Sequence, residues 1–388
     1  MAKSTGQFST FTAGLLAVII SYSSSIAIVL QAAKAAGATE AQIGSWMLAL
    51  GVGIGISSII PSLLTRTPVL MAWSTPGAAL LATSLMQYNY AQSIAVFMFA
   101  SLLMTLVGLS GLFYQFSRWI PAHLAAAMLA GILVHFGMGL FLAAEESWSL
   151  VLLMLISYFT VRHFSPRLAV VITLLIGVGF LFFQDSLSFS HLRWGLTAPI
   201  WQTPEWNLGA LIGVGIPLFL VTLSSQNLPG VAVMQTYGYQ PPMSPIIAGS
   251  GLMGVILAPF GGFAYNLAAI TAALCMSPES HPEPAQRYKA AIYAGLIYLL
   301  CGVFGATLIS FFLALPHALI AAISGIALIG TISQSFATAF NESSHRESAL
   351  FTFLATASGI SLFNIGSAFW GLVIGLIVHH LLQLKKTS

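Results

Sequence analysis

The chain has 388 residues, of which 58% are hydrophobic and only 5% are charged, whereas soluble domains carry about a quarter charged residues. This composition excludes a water-soluble globular protein. Twelve Lys and Arg against nine Asp and Glu give a formal charge of +3, but nearly all of these residues lie in short gaps between apolar segments, so the balance does not indicate nucleic-acid binding. Cys275 and Cys301 lack metal-ligand spacing and are expected to be buried free thiols, and no metal or cofactor is expected.

Apolar segments of full or half spanning length follow one another along the whole chain. Seven precede a polar stretch at 184–206 and seven follow it, at residues 11–33, 41–64, 69–86, 91–116, 119–142, 147–164 and 166–184, and then at 208–228, 242–258, 264–276, 286–313, 315–335, 346–362 and 365–384. The first is expected to be a retained helix rather than a cleaved signal. We therefore predict an all-α integral membrane protein with about 14 transmembrane segments.

The basic residues predict the orientation of these spans, because short cytoplasmic loops are enriched in Lys and Arg. A cytoplasmic N-terminus leaves only Lys34 and Arg193 outside and places the other basic residues inside: Lys3, Arg66, Arg118, Arg162, Arg167, Arg287, Lys289, Arg346, Lys385 and Lys386. The acidic residues fall mostly outside, at Glu40, Glu145, Glu146, Asp185 and Glu205. Both termini are therefore expected in the cytoplasm.

The two halves of the chain resemble each other in the order of their small and polar residues. The matches are Ser23, Ser24 and Gly37 with Ser224, Ser225 and Gly238; Pro68 and Thr75 with Pro259 and Asn266; Gly108, Gly111 and Pro121 with Gly302, Gly305 and Pro316; and Ala126, Ala127 and Gly131 with Ala321, Ala322 and Gly325. Seven spans per half make the second half enter from the opposite side. We predict an inverted repeat of residues 1–204 and 205–388, with a substrate site at the midplane.

The third segment contains a helix-start signal in mid-membrane. In Trp73-Ser74-Thr75-Pro76-Gly77, a hydroxyl side chain can cap a helix that has proline in its first turn. Its partner in the repeat is Gly261-Gly262-Phe263-Ala264-Tyr265-Asn266, where Asn266 is a candidate cap. Broken spans 3 and 10 would then point two half-helix N-termini at a carboxylate, with Trp73, Phe263 or Tyr265 packing an aromatic ring. The alternative is an ordinary proline kink.

A second polar cluster lies in spans 1 and 8. It comprises Ser21 to Ser25 in span 1 and Ser224, Ser225, Gln226 and Asn227 in span 8. The amide donors of Gln226 and Asn227 are candidates for holding a carboxylate. The alternatives are that the serines bond their own helix backbone and that the two amides bond neighbouring helices.

The spans carry no convincing interior Asp or Glu, so an intramembrane carboxylate relay is not predicted. His135 is the best-placed titratable side chain and the candidate for proton coupling, with helix packing as its alternative role. Glu279, His281 and Glu283 form either a cytoplasmic gate or a solvated loop.

The segments AWSTPGAAL, SQNLPG, AAITAALCMSPE and NIGSAFWGL resemble the BenE benzoate:proton symporter family over about residues 11–384. The resemblance extends to the uracil, xanthine and sulfate permease superfamily. It implies a core domain of spans 1–4 and 8–11, a gate domain of spans 5–7 and 12–14, and substrate between the broken spans 3 and 10. Relatives there are often dimers, so the resemblance leaves a homodimer open.

The family's polar signature falls on Ser74, Thr75, Pro76 and Gly77 and on Gln226 and Asn227. Nucleobase relatives have acidic residues in spans 8 and 10, and neutral amides stand at the corresponding places here, which suits an anionic ligand. The candidate substrate-binding residues are Ser24, Trp73, Ser74, Thr75, Gly77, Gln226, Asn227, Tyr265 and Asn266.

These observations predict a secondary active transporter that imports benzoate or a similar aromatic carboxylate with protons across a bacterial inner membrane. Its partners would be the substrate, protons and membrane lipid. The alternatives are a permease for another small anion or a nucleobase, a channel or receptor, and an intramembrane enzyme. The sequence speaks against an enzyme because it has no nucleophile motif, nucleotide loop or catalytic His and carboxylate constellation in the spans.

Overall fold

The computed structural model describes residues 2–111, 113, 115, 121–184, 187, 194–363 and 365–384, with only the backbone for 2–8 and 383–384. Several residues used to predict the orientation lie outside the described residues: Arg118, Asp185, Arg193, Lys385, Lys386 and the side chain of Lys3. The predicted orientation of the termini therefore stays a prediction.

The first half folds into seven spans at the predicted places. Their bounds are Ala2–Ala35 for span 1, Glu40–Thr65 for span 2, strand β1 at Met71–Trp73 followed by the helices Thr75–Ser84 and Leu85–Gln87 for span 3, Tyr90–Leu109 for span 4, Ala122–Phe164 for spans 5 and 6, and Ala169–Phe183 for span 7. Ser147, with φ −153° and ψ 80°, separates spans 5 and 6 within one long helix.

The second half repeats this pattern. Span 8 runs through Leu208–Ala210, Leu211–Gly215, Ile216–Thr222, Leu223–Asn227 and Leu228–Thr236; span 9 is Met243–Leu257 with Ala258–Phe260; span 10 is strand β2 at Tyr265–Leu267 with the helix Ile270–Met276; span 11 is Tyr288–Val303, followed by Gly305–Leu313; and spans 12, 13 and 14 are His317–Ala339, Arg346–Ala357 and Ser367–Leu384. Among the described residues, seven helices are long and apolar enough to cross a membrane alone. The other spans are shorter or broken.

Strands β1 and β2 lie at the centre of the repeat. They pair antiparallel, with Met71 opposite Leu267, Ala72 opposite Asn266 and Trp73 opposite Tyr265. Equivalent segments that meet antiparallel place the pseudo-twofold axis between Ala72 and Asn266. The predicted match of Thr75 with Asn266 is therefore wrong, because the residue that the axis relates to Asn266 is Ala72.

Other predicted matches occupy equivalent places in the structure. Gly37 and Gly238 end spans 1 and 8 with left-handed φ values of 76° and 80°. A Cβ on Gly108 would lie 2.3 Å from the backbone nitrogen of Ala248, and one on Gly302 would lie 3.1 Å from the Cα of Gly51. Span 4 thus crosses span 9 as span 11 crosses span 2, and small residues permit both close crossings.

The spans pack in two groups. Span 2 packs along span 11 and span 4 along span 9, whereas span 12 packs along the long helix of spans 5 and 6, and spans 13 and 14 pack on each other and on that helix. The division into core spans 1–4 and 8–11 and gate spans 5–7 and 12–14, which the resemblance implies, stays a proposal. The bounds of the two repeats at 1–204 and 205–388 stay a proposal.

The segment between the repeats is tied to span 4 by one carboxylate. Glu205 accepts hydrogen bonds from Asn89 Nδ2 at 2.9 Å and from Gln92 Nε2 at 2.7 Å. These two side-chain hydrogen bonds lower the pKa of Glu205 below its ordinary value, since they stabilise the charged form.

Candidate functional site

Span 3 is broken where β1 ends and a new helix begins. Ser74 is the N-cap of the helix Thr75–Ser84, and its Oγ accepts a hydrogen bond from the Gly77 N–H at 3.0 Å. The Ser74 N–H donates to the Ala264 carbonyl of span 10 at 3.1 Å. The predicted helix start is confirmed, and the break is a capped half-helix joined to a strand rather than a proline kink.

Gly77 allows span 8 to approach this helix start. A Cβ at Gly77 would lie 2.8 Å from Leu218 Cδ1 and 2.8 Å from Ser74 Oγ. Any larger residue would push span 8 away or disturb the cap. Because Pro76 has no N–H and the Gly77 N–H is bonded to Ser74, Thr75 is the residue through which this helix end can meet a ligand.

Span 10 is broken by a different local structure. Gly261 turns the chain with φ 94° against Trp46, and Ala264 adopts φ 43° before β2. The following helix, Ile270–Met276, begins after Ala269 and has no side-chain cap. The prediction that Asn266 caps this helix is therefore wrong, because Asn266 is held in the central pair of the two strands.

Asn266 is fully buried in the strand pair. Its Nδ2 donates to the Leu267 carbonyl at 2.9 Å and approaches Gln226 Oε1 at 3.4 Å. Its Oδ1 is buried with no hydrogen-bond partner within the part of the chain that the structure describes. A buried acceptor without a donor costs about 1–3 kcal/mol, so a donor from a ligand or water is expected to satisfy it.

Span 8 contains a wide π-helical turn at Leu223–Asn227. Pro229 follows within one turn and cannot donate a backbone hydrogen bond, which favours such a local change of hydrogen-bonding pattern. Ser224 and Ser225 donate to carbonyls of their own helix at 2.7 and 2.5 Å, as the alternative for the serines predicts. Asn227 is fully buried and its Oδ1 accepts from the Leu267 N–H at 2.9 Å.

Asn227 and Gln226 have different surroundings. Asn227 joins span 8 to β2, and its Nδ2 lies 3.6 Å from Met104 Sδ in span 4, so this residue bonds neighbouring spans. Gln226 is only partly buried, and its Oε1 receives Asn266 Nδ2. The N–H donors of Gln226 are therefore the amide group that this cluster can offer to a carboxylate.

The serines of span 1 also bond their own helix. Ser23, Ser24 and Ser25 donate to carbonyls at 2.6, 3.2 and 2.7 Å respectively. Ser25 in addition accepts the indole N–H of Trp73 at 2.8 Å. Ser24 is partly buried, and it is the span 1 serine that we retain as a candidate substrate contact.

The three aromatic residues predicted at the site pack inside the core domain. Trp73 is 2% exposed and lies edge-on to Tyr22 and Tyr298. Tyr265 is also 2% exposed, and its hydroxyl donates to the Ala49 carbonyl at 2.7 Å. Phe263 packs against other rings in the same way. These rings pack against the protein interior next to β1 and β2. Their contact with a ligand stays a prediction.

A cavity of about 830 Å³ lies between spans 1 and 3 on one side and spans 5 and 12 on the other. We call it the outer vestibule, because the predicted orientation opens it to the outer face. Its polar and charged lining residues are Gln31, Lys34, Thr83, His135, Glu145, Glu146, His317 and Ser324. His135 is exposed there, so it meets the cavity rather than only packing between helices.

Of the span 1 residues that line the outer vestibule, Gln31 lies at the end nearer to Ser24. Gln31 is seven residues after Ser24 in span 1, which is about 10 Å along a helix. At this end Gln31 Nε2 donates to Ser324 Oγ at 2.9 Å and joins the core span 1 to the gate span 12. Neither Gln31 nor Ser324 was predicted from the sequence. The available signal was Gln31 itself, a polar residue two helical turns after the serines of span 1.

The remaining titratable groups that the structure describes do not form a metal site. No cluster of three His, Cys, Asp or Glu side chains within the described ranges could hold a metal ion. Cys275 is buried and Cys301 partly buried, both as free thiols. Glu279 forms an exposed ion pair with Arg167 at 3.1 Å, which is consistent with a solvated surface at that end of span 10.

The sequence matches the BenE family, described as benzoate membrane transport protein, over residues 4–381. It is 44% identical to the inner membrane protein YdcO of Escherichia coli strain K12, over 97% of this chain and 96% of that protein. It is 39% identical to the benzoate membrane transport protein of Acinetobacter baylyi, over 100% of this chain and 98% of that protein.

Two solved structures show the same fold at low sequence identity. The transmembrane domain of a cyanobacterium bicarbonate transporter, BicA, superposes with a TM-score of 0.57 at 14% identity, covering 97% of each chain. Murine Slc26a9, an anion transporter in the inward-facing state, superposes with a TM-score of 0.63 at 12% identity, over 98% of this chain and 69% of that one. Both have the inverted repeat with core and gate domains.

Proposed function

Because this chain belongs to the BenE family of benzoate membrane transport proteins, we propose that it imports benzoate or a similar aromatic carboxylate together with protons across the bacterial inner membrane. Family membership makes it a multi-pass membrane transport protein rather than an enzyme. The substrate and the coupling to protons are the parts that we propose. The observation that supports an anionic substrate is the neutral, polar meeting point of the two broken spans, and the proposed coupling to protons rests on His135.

The proposed binding site lies beside the β1–β2 pair. Thr75 offers a hydroxyl at the start of a half-helix, Gln226 offers amide N–H donors, and Ser24 adds a hydroxyl from span 1. A helix N-terminus favours negative charge. Neutral hydroxyl and amide donors can hydrogen-bond a carboxylate while its negative charge remains. A benzoate anion would be bound by these groups through its carboxylate.

The other candidate residues act on the site by holding its backbone. Ser74 caps the half-helix of span 3, Gly77 lets span 8 approach it, and Asn227 bonds β2 to span 8. Trp73 in β1 donates a hydrogen bond to span 1, and Tyr265 in β2 donates one to span 2. These two bonds hold the strand pair between spans 1 and 2. Asn266 Oδ1 is an acceptor and the benzoate anion carries no donor, so we propose that a water molecule rather than the substrate satisfies this buried oxygen.

Transport would follow from movement of the core spans against the gate spans, with the site exposed alternately to each face. The outer vestibule is then the access route in the conformation described here. We propose His135 as the proton carrier, because it is an exposed titratable side chain lining this route and imidazole changes charge between pH 5 and 8. Proton movement with the anion would offset its charge.

Uptake of radiolabelled benzoate into proteoliposomes tests this proposal. The purified full chain would be compared with protein-free liposomes, which report passive benzoic acid permeation, with and without an inward proton gradient. Gradient-driven accumulation that unlabelled uracil does not inhibit is the expected result. Absence of both uptake and binding of benzoate would reject the substrate, and inhibition by uracil would favour a nucleobase permease.

A further inference from the structure

The outer vestibule brings together charged groups of both signs from three spans. Lys34 comes from span 1, His135, Glu145 and Glu146 from span 5, and His317 from span 12. The lining residues that span 3 contributes are Ala82, Thr83 and Met86, so span 3 adds no charge to the described lining. Titration of the vestibule therefore depends on these five groups.

Their balance changes sign with the protonation of the two histidines. With both imidazoles neutral, one ammonium and two carboxylates give a net charge of −1. With both imidazoles protonated, the net charge is +1. His317 Nδ1 lies 2.9 Å from Glu146 Oε1, so its protonation would neutralise that carboxylate directly and leave Glu145 as the main opposing charge.

These five groups line the route of a solute into the outer vestibule, so the sign of their net charge matters for the solute. A solute that approaches from this face passes through a cavity about 830 Å³ in volume, and charges on its lining act over about 8 Å in physiological salt. The net charge of such a cleft changes the local concentration of an ionic solute and its rate of arrival.

We propose that the outer vestibule is an anion-capture site whose charge follows the pH at the outer face. Small carboxylates would concentrate in it under acidic conditions and be repelled near neutrality. Which carboxylate is captured rests on the proposed function, but the capture of anions as a class does not. This capture alters the affinity for the substrate and is separate from proton coupling, which sets how far the substrate accumulates.

The first test needs no knowledge of the substrate. Thr83→Cys places a thiol on the vestibule wall, at a residue whose hydroxyl bonds the carbonyls of Ala79 and Leu80 in its own helix, in a background with Cys275 and Cys301 replaced by Ala. The rates of reaction with an anionic and a cationic methanethiosulfonate reagent are compared, so that the pH dependence of the thiol itself cancels in their ratio. Ala41→Cys, exposed at the start of span 2, is the control outside the vestibule.

The ratio of anionic to cationic rates at Thr83→Cys is expected to rise at least about fourfold from pH 7.5 to pH 5.5 in low salt, since the net charge changes by two units. Glu145→Gln should raise the ratio at pH 7.5 and Lys34→Gln should lower it. High salt should flatten all three effects. A ratio that does not change with pH, or that follows the control position, would overturn the proposal.

The second test uses benzoate exchange in proteoliposomes with equal pH on both sides. Glu145→Gln is expected to lower the KM at pH 7.5 by about two- to fivefold with unchanged maximal rate, and Lys34→Gln to raise it similarly, whereas Glu40→Gln outside the vestibule should change it less. If neither vestibule variant changes the KM, the proposal of anion capture is rejected. If benzoate is not exchanged at all while the thiol ratio still responds, the proposed substrate fails and the capture site stands.

Discussion

Replacing Asn227 by Ala is the sharpest test of how the site is held. Asn227 Oδ1 accepts from the Leu267 N–H in β2 at 2.9 Å, and the side chain is fully buried. Its removal leaves a buried backbone donor without a partner, which costs about 1–3 kcal/mol. If that cost falls on the arrangement that binds substrate, the affinity should drop by about 5- to 150-fold.

Binding would be measured by titration calorimetry with benzoate on protein purified in detergent, together with thermal unfolding of the ligand-free protein. Ser225→Ala is the matched control, because the Ser225 hydroxyl bonds only the Val221 carbonyl of its own helix. We expect weak binding and a lowered unfolding temperature for Asn227→Ala and little change for the control. Wild-type affinity in a folded Asn227→Ala protein would show that the bond to β2 does not position the site.

Three side chains at the site and its access route, and one in the outer loop, give further predictions. Thr75→Ala should weaken benzoate binding about tenfold without lowering the unfolding temperature, as loss of one hydrogen bond to a charged ligand implies; equal affinity would remove Thr75 from the site. His135→Gln should abolish the pH dependence of gradient-driven accumulation but spare substrate exchange, and a normal pH profile would exclude it as the carrier. Gln31→Leu removes the hydrogen bond to Ser324 and should open the end of the outer vestibule nearer to Ser24, measured as faster labelling of a Ser24→Cys thiol from outside; an unchanged rate would show that this bond does not close the vestibule. The lowered pKa of Glu205 means that its stabilising contribution is present above the ordinary carboxyl pKa of 4.5 and is lost as pH falls from there through the lowered pKa; proteolysis of the 194–207 segment should therefore accelerate in acid, and Glu205→Ala should remove the protection already at pH 7.

The break in span 3 could be predicted from sequence because its cause is local. Ser74, Pro76 and Gly77 specify a helix start within four residues, by a cap, a fixed φ and a close approach. The break in span 10 could not be predicted in the same detail. Asn266 has the residue type of a cap, but its position depends on β1, about 190 residues earlier in the chain, and no local pattern reports that pairing.

The roles of the aromatic residues also could not be predicted from the sequence. In a membrane protein, lipid, protein interior and an apolar cavity favour the same side chains, so an aromatic residue near a predicted site does not reveal which of them it faces. Trp73 and Tyr265 face the protein interior because each finds a hydrogen-bond acceptor there. The outer vestibule was not predicted for a related reason. In the sequence, Lys34 and Glu145 look like ordinary charged residues at the ends of spans.

The axis between Ala72 and Asn266 also identifies the residues expected at the opposite mouth of the transporter. The match of Gly37 with Gly238 relates Lys34 to Gln235, and the match of Gly131 with Gly325 relates His135 and Glu145 to Ile329 and Ala339. If the two repeats exchange conformations when the protein faces inward, these uncharged residues form the exit. The same match relates His317 to His123 and Glu146 to Phe340, so the exit would keep one titratable histidine but no counterpart of Lys34, His135 or the two carboxylates.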